Sequence, residues 1–148
     1  MNLLHLARPD DMEKLLPLVA RFHEHHDIVQ TDEKRFEALM PLLEGIPHGM
    51  IYLIGPRKAP VGYIIISLGY SVELGGIEGF VDEFFIREKV RGRGMGSEVL
   101  MTLLPALKDN GIKALHLEVE RSNERAQRLY KRAGFEPREG YMLMTRTR

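Results

Sequence analysis

The chain has 148 residues, 44% hydrophobic and 28% charged, with no cysteine, no tryptophan and 21 basic residues against 21 acidic ones. That length can bury the core of one domain, residues 1–148, without a disulfide or zinc staple, and the missing cysteine excludes thiolate metal sites and a cysteine nucleophile. Zero net charge argues against a nucleic-acid binder, no apolar run approaches the roughly 18 residues of a membrane span, and the start MNLLHLARPDD lacks the layout of a signal peptide, so a cytoplasmic protein without membrane contact is expected.

The balance conceals an asymmetry. Residues 1–90 carry 9 Lys/Arg against 14 Asp/Glu, while residues 91–148 carry 12 against 7. Solvated surface charge accounts for such clustering, and so does a chain whose halves face ligand groups of opposite sign.

In chain order, Leu3 to Ala7 reads as a short strand closed by Pro9, with Asp10 as a helix cap. Met12, Leu15, Leu16, Val19 and Ala20 recur at helical spacing to about residue 25, and Phe36, Leu39, Met40 and Leu43 form a second stripe capped by Thr31 or Asp32. Gly45, Pro47 and Gly49 end it. Met50 to Ile54 and Val61 to Leu68 are β-rich runs around the turn residues Gly55 to Pro60, a hairpin pattern, and Gly75-Gly76 turns the chain into a strand from Phe80 to Ile86. Val99, Leu100, Leu103, Leu104 and Leu107 define a helix from near Gly94 to Asn110-Gly111, with a kink or restart expected at Pro105. Ala114 to Val119 reads as a strand, Asn123 to Ala133 as a helix closed by Gly134, and Tyr141 to Thr145 as a last strand. The whole is a mixed α/β domain, mostly antiparallel in its first half, with a βαβ unit in its second.

The richest segment joins the Phe80–Ile86 strand to the next helix through Arg91-Gly92-Arg93-Gly94-Met95-Gly96-Ser97. Glycines let backbone N–H groups approach an anion, a helix N-terminus adds partial positive charge, and two arginines supply charged donors, so the loop suits a phosphate. It is not a P-loop, because Gly96-Ser97-Glu98 has no lysine. Counted from Gly92, the sixth position of a dinucleotide fingerprint is Ser97 rather than glycine, although Glu118 stands near where a ribose contact would be wanted.

The run Arg91 to Gly96 matches the Arg/Gln-x-x-Gly-x-Gly/Ala loop, and Asn123-Glu124-Arg125-Ala126-Gln127-Arg128-Leu129-Tyr130 the Asn-x-x-Ala-x-x-x-Tyr helix, of the GNAT N-acetyltransferase superfamily. Over residues 80–136 the chain resembles that family. The resemblance implies a GNAT-like single domain with a mixed, mostly antiparallel central sheet flanked by helices. Its acceptor-shaping half is about 1–75 and its acetyl-CoA-binding half about 76–148. It also implies transfer of an acetyl group from acetyl-CoA to a primary amine by direct attack, with no metal. The pyrophosphate would lie on Arg91, Gly92, Arg93, Gly94, Met95, Gly96 and Ser97. The pantetheine arm would lie along Asn123, Ala126 and Tyr130 and the backbone N–H groups of Phe85 and Ile86, with Tyr130 as the acid that protonates the departing thiolate.

Asn123, Ala126 and Tyr130, at i, i+3 and i+7, do share one helix face, as core residues of an amphipathic helix also would. An alkylamine with a pKa of about 10.4 is protonated at neutral pH and needs a base. Strand alternation puts Asp82, Phe84 and Ile86 on one face and Val81, Glu83 and Phe85 on the other. The resemblance points to Glu83 as the base, with Asp82 or water as competitors.

The acceptor is a small-molecule or peptide amine; Glu73, Glu78, Asp82, Glu83, Glu118 and Glu120 would favour a cationic one. His23-Glu24-His25-His26 departs from His-Glu-x-x-His because residue 27 is aspartate, and without a clear third ligand the histidines fit the acceptor entrance better than a metal. A homodimer is the default assembly. Two rival classes keep the loop without the chemistry, a non-catalytic acyl-CoA sensor and a nucleotide-binding module.

Overall fold

A computed structural model of the chain describes residues 2–147. These fall into two compact units, a larger one running to Glu118 and a smaller one beginning at Val119.

The larger unit contains β1 (Leu4–Leu6), α1 (Met12–His25), α2 (Asp32–Leu43), β2 (Gly49–Ile54), β3 (Gly62–Ser71), β4 (Gly76–Ile86), α3 (Met95–Asp109) and β5 (Ile112–His116). Its strands form one sheet in the order β1-β2-β3-β4-β5. The first three pairings are antiparallel, and β4 and β5 run parallel across the βαβ crossover through α3. The mixed sheet and its single crossover are those expected from the sequence.

Period-two alternation splits the sheet residues between two layers. Ile51, Leu53, Tyr63, Ile65 and Phe85 pack with Leu15, Leu18 and Val19 of α1 and Leu39 and Leu43 of α2. Ile64, Ile66 and Val81 pack with Leu103 and Leu107 of α3. Residues 62–66 of β3 are all buried, as befits a central strand covered on both faces. Gly62 is required by its neighbour, since a Cβ there would collide with the Phe85 carbonyl oxygen.

Thr31 is the N-cap of α2, its hydroxyl accepting from the Lys34 N–H at 3.1 Å. The inward stripe of α2 differs from the expected one. Phe36 is exposed, and the position one turn before Leu39 belongs to Arg35, whose side chain is only 11% accessible.

The restart that was one expectation at Pro105 is not formed; α3 runs from Met95 to Asp109 as one helix. Both Pro105 and Met101, whose carbonyl loses its partner to the proline, are exposed, so water can take over the bond. Pro17 and Pro41 lie inside α1 and α2 without ending them.

The smaller unit holds α4 (Glu124–Arg132). Asn123 caps it, its Oδ1 accepting from the Ala126 N–H at 3.0 Å, and Tyr130 and Phe135 pack edge to face with ring centroids 5.8 Å apart. The strand expected over Tyr141 to Thr145 is absent. This segment joins no ladder, and Tyr141, Met142, Leu143 and Met144 remain 68–82% exposed. An apolar run becomes a strand only when another strand edge takes up its amides.

Replacing Pro105 with alanine should restore the bond to the Met101 carbonyl and stabilise the protein by about 1–3 kcal/mol, read as a higher denaturation midpoint at unchanged slope.

Candidate active site

The site begins with an irregularity in β4. Across the β3–β4 ladder Glu83 stands opposite Ile65 and Val81 opposite Ile66, so Asp82 is an extra residue without a partner. A bulge of this kind shifts the parity of the strand by one. Glu83 and Phe85 therefore face the α1–α2 layer, while Val81 joins the α3 layer with Ile64 and Ile66. Simple alternation, which put Val81 on the face of Glu83 and Phe85, fails here for that reason.

Glu83 is held by two elements. Its Oε1 accepts from the Tyr63 hydroxyl and its Oε2 contacts His23 Nε2, both at 2.8 Å. The other ring nitrogen of His23, Nδ1, accepts from Arg35 Nε at 3.1 Å, and Arg35 Nη1 pairs with Asp32 at 2.7 Å. The carboxylate side chain is 15% accessible and His23 7%. Burial, then the charge of Glu83 and the hydrogen bond to it, pushes the Tyr63 hydroxyl far above its ordinary pKa, so tyrosine is the donor. Asp82, by contrast, is exposed.

His23, Arg35, Asp82 and Glu83 border a cleft of about 310 Å³ in the larger unit. Ile65, Asp82 and Glu83 form its wall on the sheet side. Val19, His23, Arg35, Leu39 and Leu42 form its helical walls, and Ile28, Val29 and Gln30 of the α1–α2 loop close one side. The cleft thus combines two carboxylates, the imidazole of His23 and the guanidinium of Arg35 with aliphatic surface.

The three neighbouring histidines disperse. His23 meets Glu83, His25 Nε2 lies 2.7 Å from Glu88, and the His26 ring lies against Phe22 with centroids 4.3 Å apart. Among the described residues no three His, Cys, Asp or Glu side chains are grouped to hold a metal.

Beyond the bulge, β4 has a free edge. Its pairing with β5 reaches Phe80 and His116, where His116 Nε2 and Glu78 Oε1 are 2.7 Å apart, and does not continue toward Ile86. On the β3 side the Arg87 N–H donates to the Val61 carbonyl at 2.8 Å. Bonded pairs alternate in an antiparallel ladder, so the next one is Phe85 with Tyr63, and the main chain of Phe84 and Ile86 points outward. The Ile86 carbonyl accepts from Arg91 Nε at 2.6 Å, and the Arg91 guanidinium lies 5.4 Å from the Phe85 ring centroid. Arg91 is thus folded back on β4, while Arg93 is exposed at the loop tip.

Gly92 and Gly94 both have φ of +78°, the left-handed conformation that favours glycine. Gly94 is the N-cap of α3 and offers no side-chain acceptor, so the first N–H groups of the helix at Met95, Gly96 and Ser97 are not capped by it. In the smaller unit burial pushes the Tyr130 hydroxyl above its ordinary pKa, so it carries its proton at neutral pH.

Tyr63, His23 and Arg35 were not expected as partners of Glu83. For His23 and Arg35 the signal lay in the helix spacing: Val19 to His23 and Arg35 to Leu39 are each one turn, which put polar residues on otherwise apolar stripes.

The chain is similar over 98% of its length to the integron cassette protein HFX_CASS3 from a salt-marsh metagenome, at 34% identity and TM-score 0.80, covering 90% of that chain. It is similar in fold to AAC(6')-Iy, solved with the bisubstrate analogue CoA-S-monomethyl-acetylneamine, at 16% identity and TM-score 0.79 over 98% of this chain and 97% of that one. A stretch of 59 residues is 36% identical to the uncharacterised N-acetyltransferase YycN of Bacillus subtilis (strain 168), spanning 40% of this chain and 38% of that protein. Residues 13–135 match the Acetyltransferase (GNAT) family, and the chain belongs to that family.

Tyr63→Phe removes one of the two donors to a mostly buried carboxylate and should cost about 1–3 kcal/mol of stability in chemical denaturation.

Proposed function

We propose that this protein transfers the acetyl group of acetyl-CoA to a primary amine by direct attack, with Glu83 as the base. The observation that carries the reading is the Glu83 carboxylate fixed between Tyr63 and His23 at the wall of the cleft. Each carboxylate oxygen accepts one bond and keeps a lone pair for an incoming ammonium or a bridging water.

The acceptor enters the cleft as a cation, attracted by Glu83 and Asp82, and gives up a proton to Glu83 directly or through water. Its nitrogen attacks the thioester carbonyl, forming the N–C bond. Collapse of the tetrahedral intermediate breaks the C–S bond as the nitrogen sheds its second proton to water, leaving the neutral amide, and Tyr130, protonated at neutral pH and reprotonated from solvent after each cycle, is the proposed donor to the departing thiolate. Outward-facing main-chain groups of β4 at Phe84 and Ile86 suit the pantetheine amides better than Phe85, whose main chain the register turns toward β3. The start of α3, opened by Gly92 and Gly94 and without a side-chain cap, suits the pyrophosphate, with exposed Arg93 as the proposed cation and Arg91 bracing the loop. Asn123 and Ala126 on α4 are assigned to the pantetheine arm through the family's helix motif. The acceptor class supported by the cleft is a small cationic amine or peptide amine with aliphatic bulk.

Acetyl-CoA turnover against a panel of polyamines, amino sugars and peptides with free N-termini or lysines tests the reading; CoA binding with no amine acetylated would overturn it in favour of an acyl-CoA sensor. Glu83→Gln should lower kcat by about 10²-fold or more at neutral pH, with the deficit shrinking as pH rises toward the amine's pKa of about 10.4, where the acceptor arrives deprotonated. Tyr130→Phe should depress kcat by tenfold or more, on the order expected for loss of a general acid, with little change in CoA affinity measured by calorimetry.

A further inference from the structure

We propose that His23 is a positioning residue for Glu83, its ring locked by Arg35 as the Nε2–H tautomer so that it delivers a hydrogen bond to the carboxylate and fixes it at the cleft wall. The inference rests on Glu83 being the base and adds the device that orients it.

Arg35 Nε carries a hydrogen and cannot accept, so the 3.1 Å contact makes His23 Nδ1 the acceptor. The ring's proton is then on Nε2, 2.8 Å from Glu83 Oε2. The reverse tautomer would set an N–H against a guanidinium N–H on one side and a bare nitrogen against a carboxylate on the other. Arg35 is itself steered by Asp32, one turn earlier on the same helix, at 2.7 Å. The chain Asp32, Arg35, His23, Glu83, Tyr63 thus draws on α2, α1, β4 and β3, and both carboxylate oxygens end on a donor. Two donors at separate oxygens fix the rotation of the carboxylate as well as its place.

A histidine that merely filled the core would need a partner for its polar atoms, and any carbonyl would serve. Here both nitrogens are spent on side chains, one of them the group that receives the proton. The ionisable groups around Glu83 are Tyr63 from β3, His23 from α1, Arg35 with Asp32 behind it from α2, and Asp82 on its own strand. None but His23 and Tyr63 bonds the carboxylate among the described residues.

The test has a spectroscopic and a kinetic arm. Long-range ¹H–¹⁵N spectra of the full-length, ¹⁵N-labelled protein, with the His23 signals assigned by their loss in His23→Gln, should show a neutral ring protonated at Nε2. Arg35→Met should convert this to a mixture. A ring protonated at Nδ1, or at both nitrogens, in the wild type at about neutral pH would overturn the proposal.

With acetyl-CoA and the fastest amine of the panel, His23→Leu should lower kcat about tenfold or more at neutral pH, with KM for acetyl-CoA unchanged. As for Glu83→Gln, that deficit should fall to within about twofold near pH 9.5, where more of the amine is already free. His23→Gln, which keeps an N–H donor at similar reach, should recover most of the rate. Wild-type turnover in His23→Leu alongside an impaired Glu83→Gln would overturn the positioning role and leave the base in place. Wild-type turnover in Glu83→Gln would overturn the base and this role with it. An equal, pH-independent loss in both His23 variants, tracking lower thermal stability, would reduce His23 to a packing residue and overturn the proposal.

Discussion

A carboxylate that leaves water must find its hydrogen bonds in the protein or give up its charge. Glu83 finds two, and the architecture around it follows from that need. Tyr63 must stand directly across from Phe85 on β3, α1 must present a histidine where its stripe would otherwise continue with an apolar residue, and α2 must turn Arg35 inward in place of Phe36. Each choice is weak as an isolated stability device, since buried polar groups stabilise little beyond what their desolvation costs. Together they give a carboxylate of fixed orientation beside a cleft.

The two arms of the site are built on different physics. On the proposed acceptor side, Glu83, His23 and Arg35 are largely buried and paired between the sheet and the helical layer, so their geometry depends on packing. On the proposed cofactor side the main chain does the work: past Phe80 the outer edge of β4 pairs with no strand among the described residues, its Ile86 carbonyl being taken by Arg91, and Gly94 leaves the first N–H groups of α3 without a side-chain cap. Backbone donors suit the amides and phosphates of an extended cofactor, whereas side chains suit an acceptor that varies from one family member to another.

Much of the layout was legible in the sequence because it rests on period and punctuation. The helical stripes, the hairpin around Gly55 to Pro60 and the glycine loop before α3 are local signals and reappear as α1, α2, the β2–β3 pair and the turn into α3. What escaped was non-local. The parity shift at Asp82 depends on what stands opposite on β3, and the partners of Glu83 lie 20 and 60 residues away. Pro105 looked like a break because its exposure, which lets water replace the lost bond, is a tertiary fact. Tyr141 to Thr145 looked like a strand because composition cannot say whether an edge is available.

The unpaired residue at Asp82 also sets how this strand can change over evolutionary time. Side chains along β4 can be exchanged one by one, but its length near the bulge is constrained. Losing that single residue would close the ladder into perfect register and slide one end of the strand by a step. Either Glu83 and Phe85 would turn into the α3 layer, or Val81 and the residues before it would turn out of it. The family's tolerance for divergent side chains is therefore expected to coexist with an almost invariant residue count at this one place.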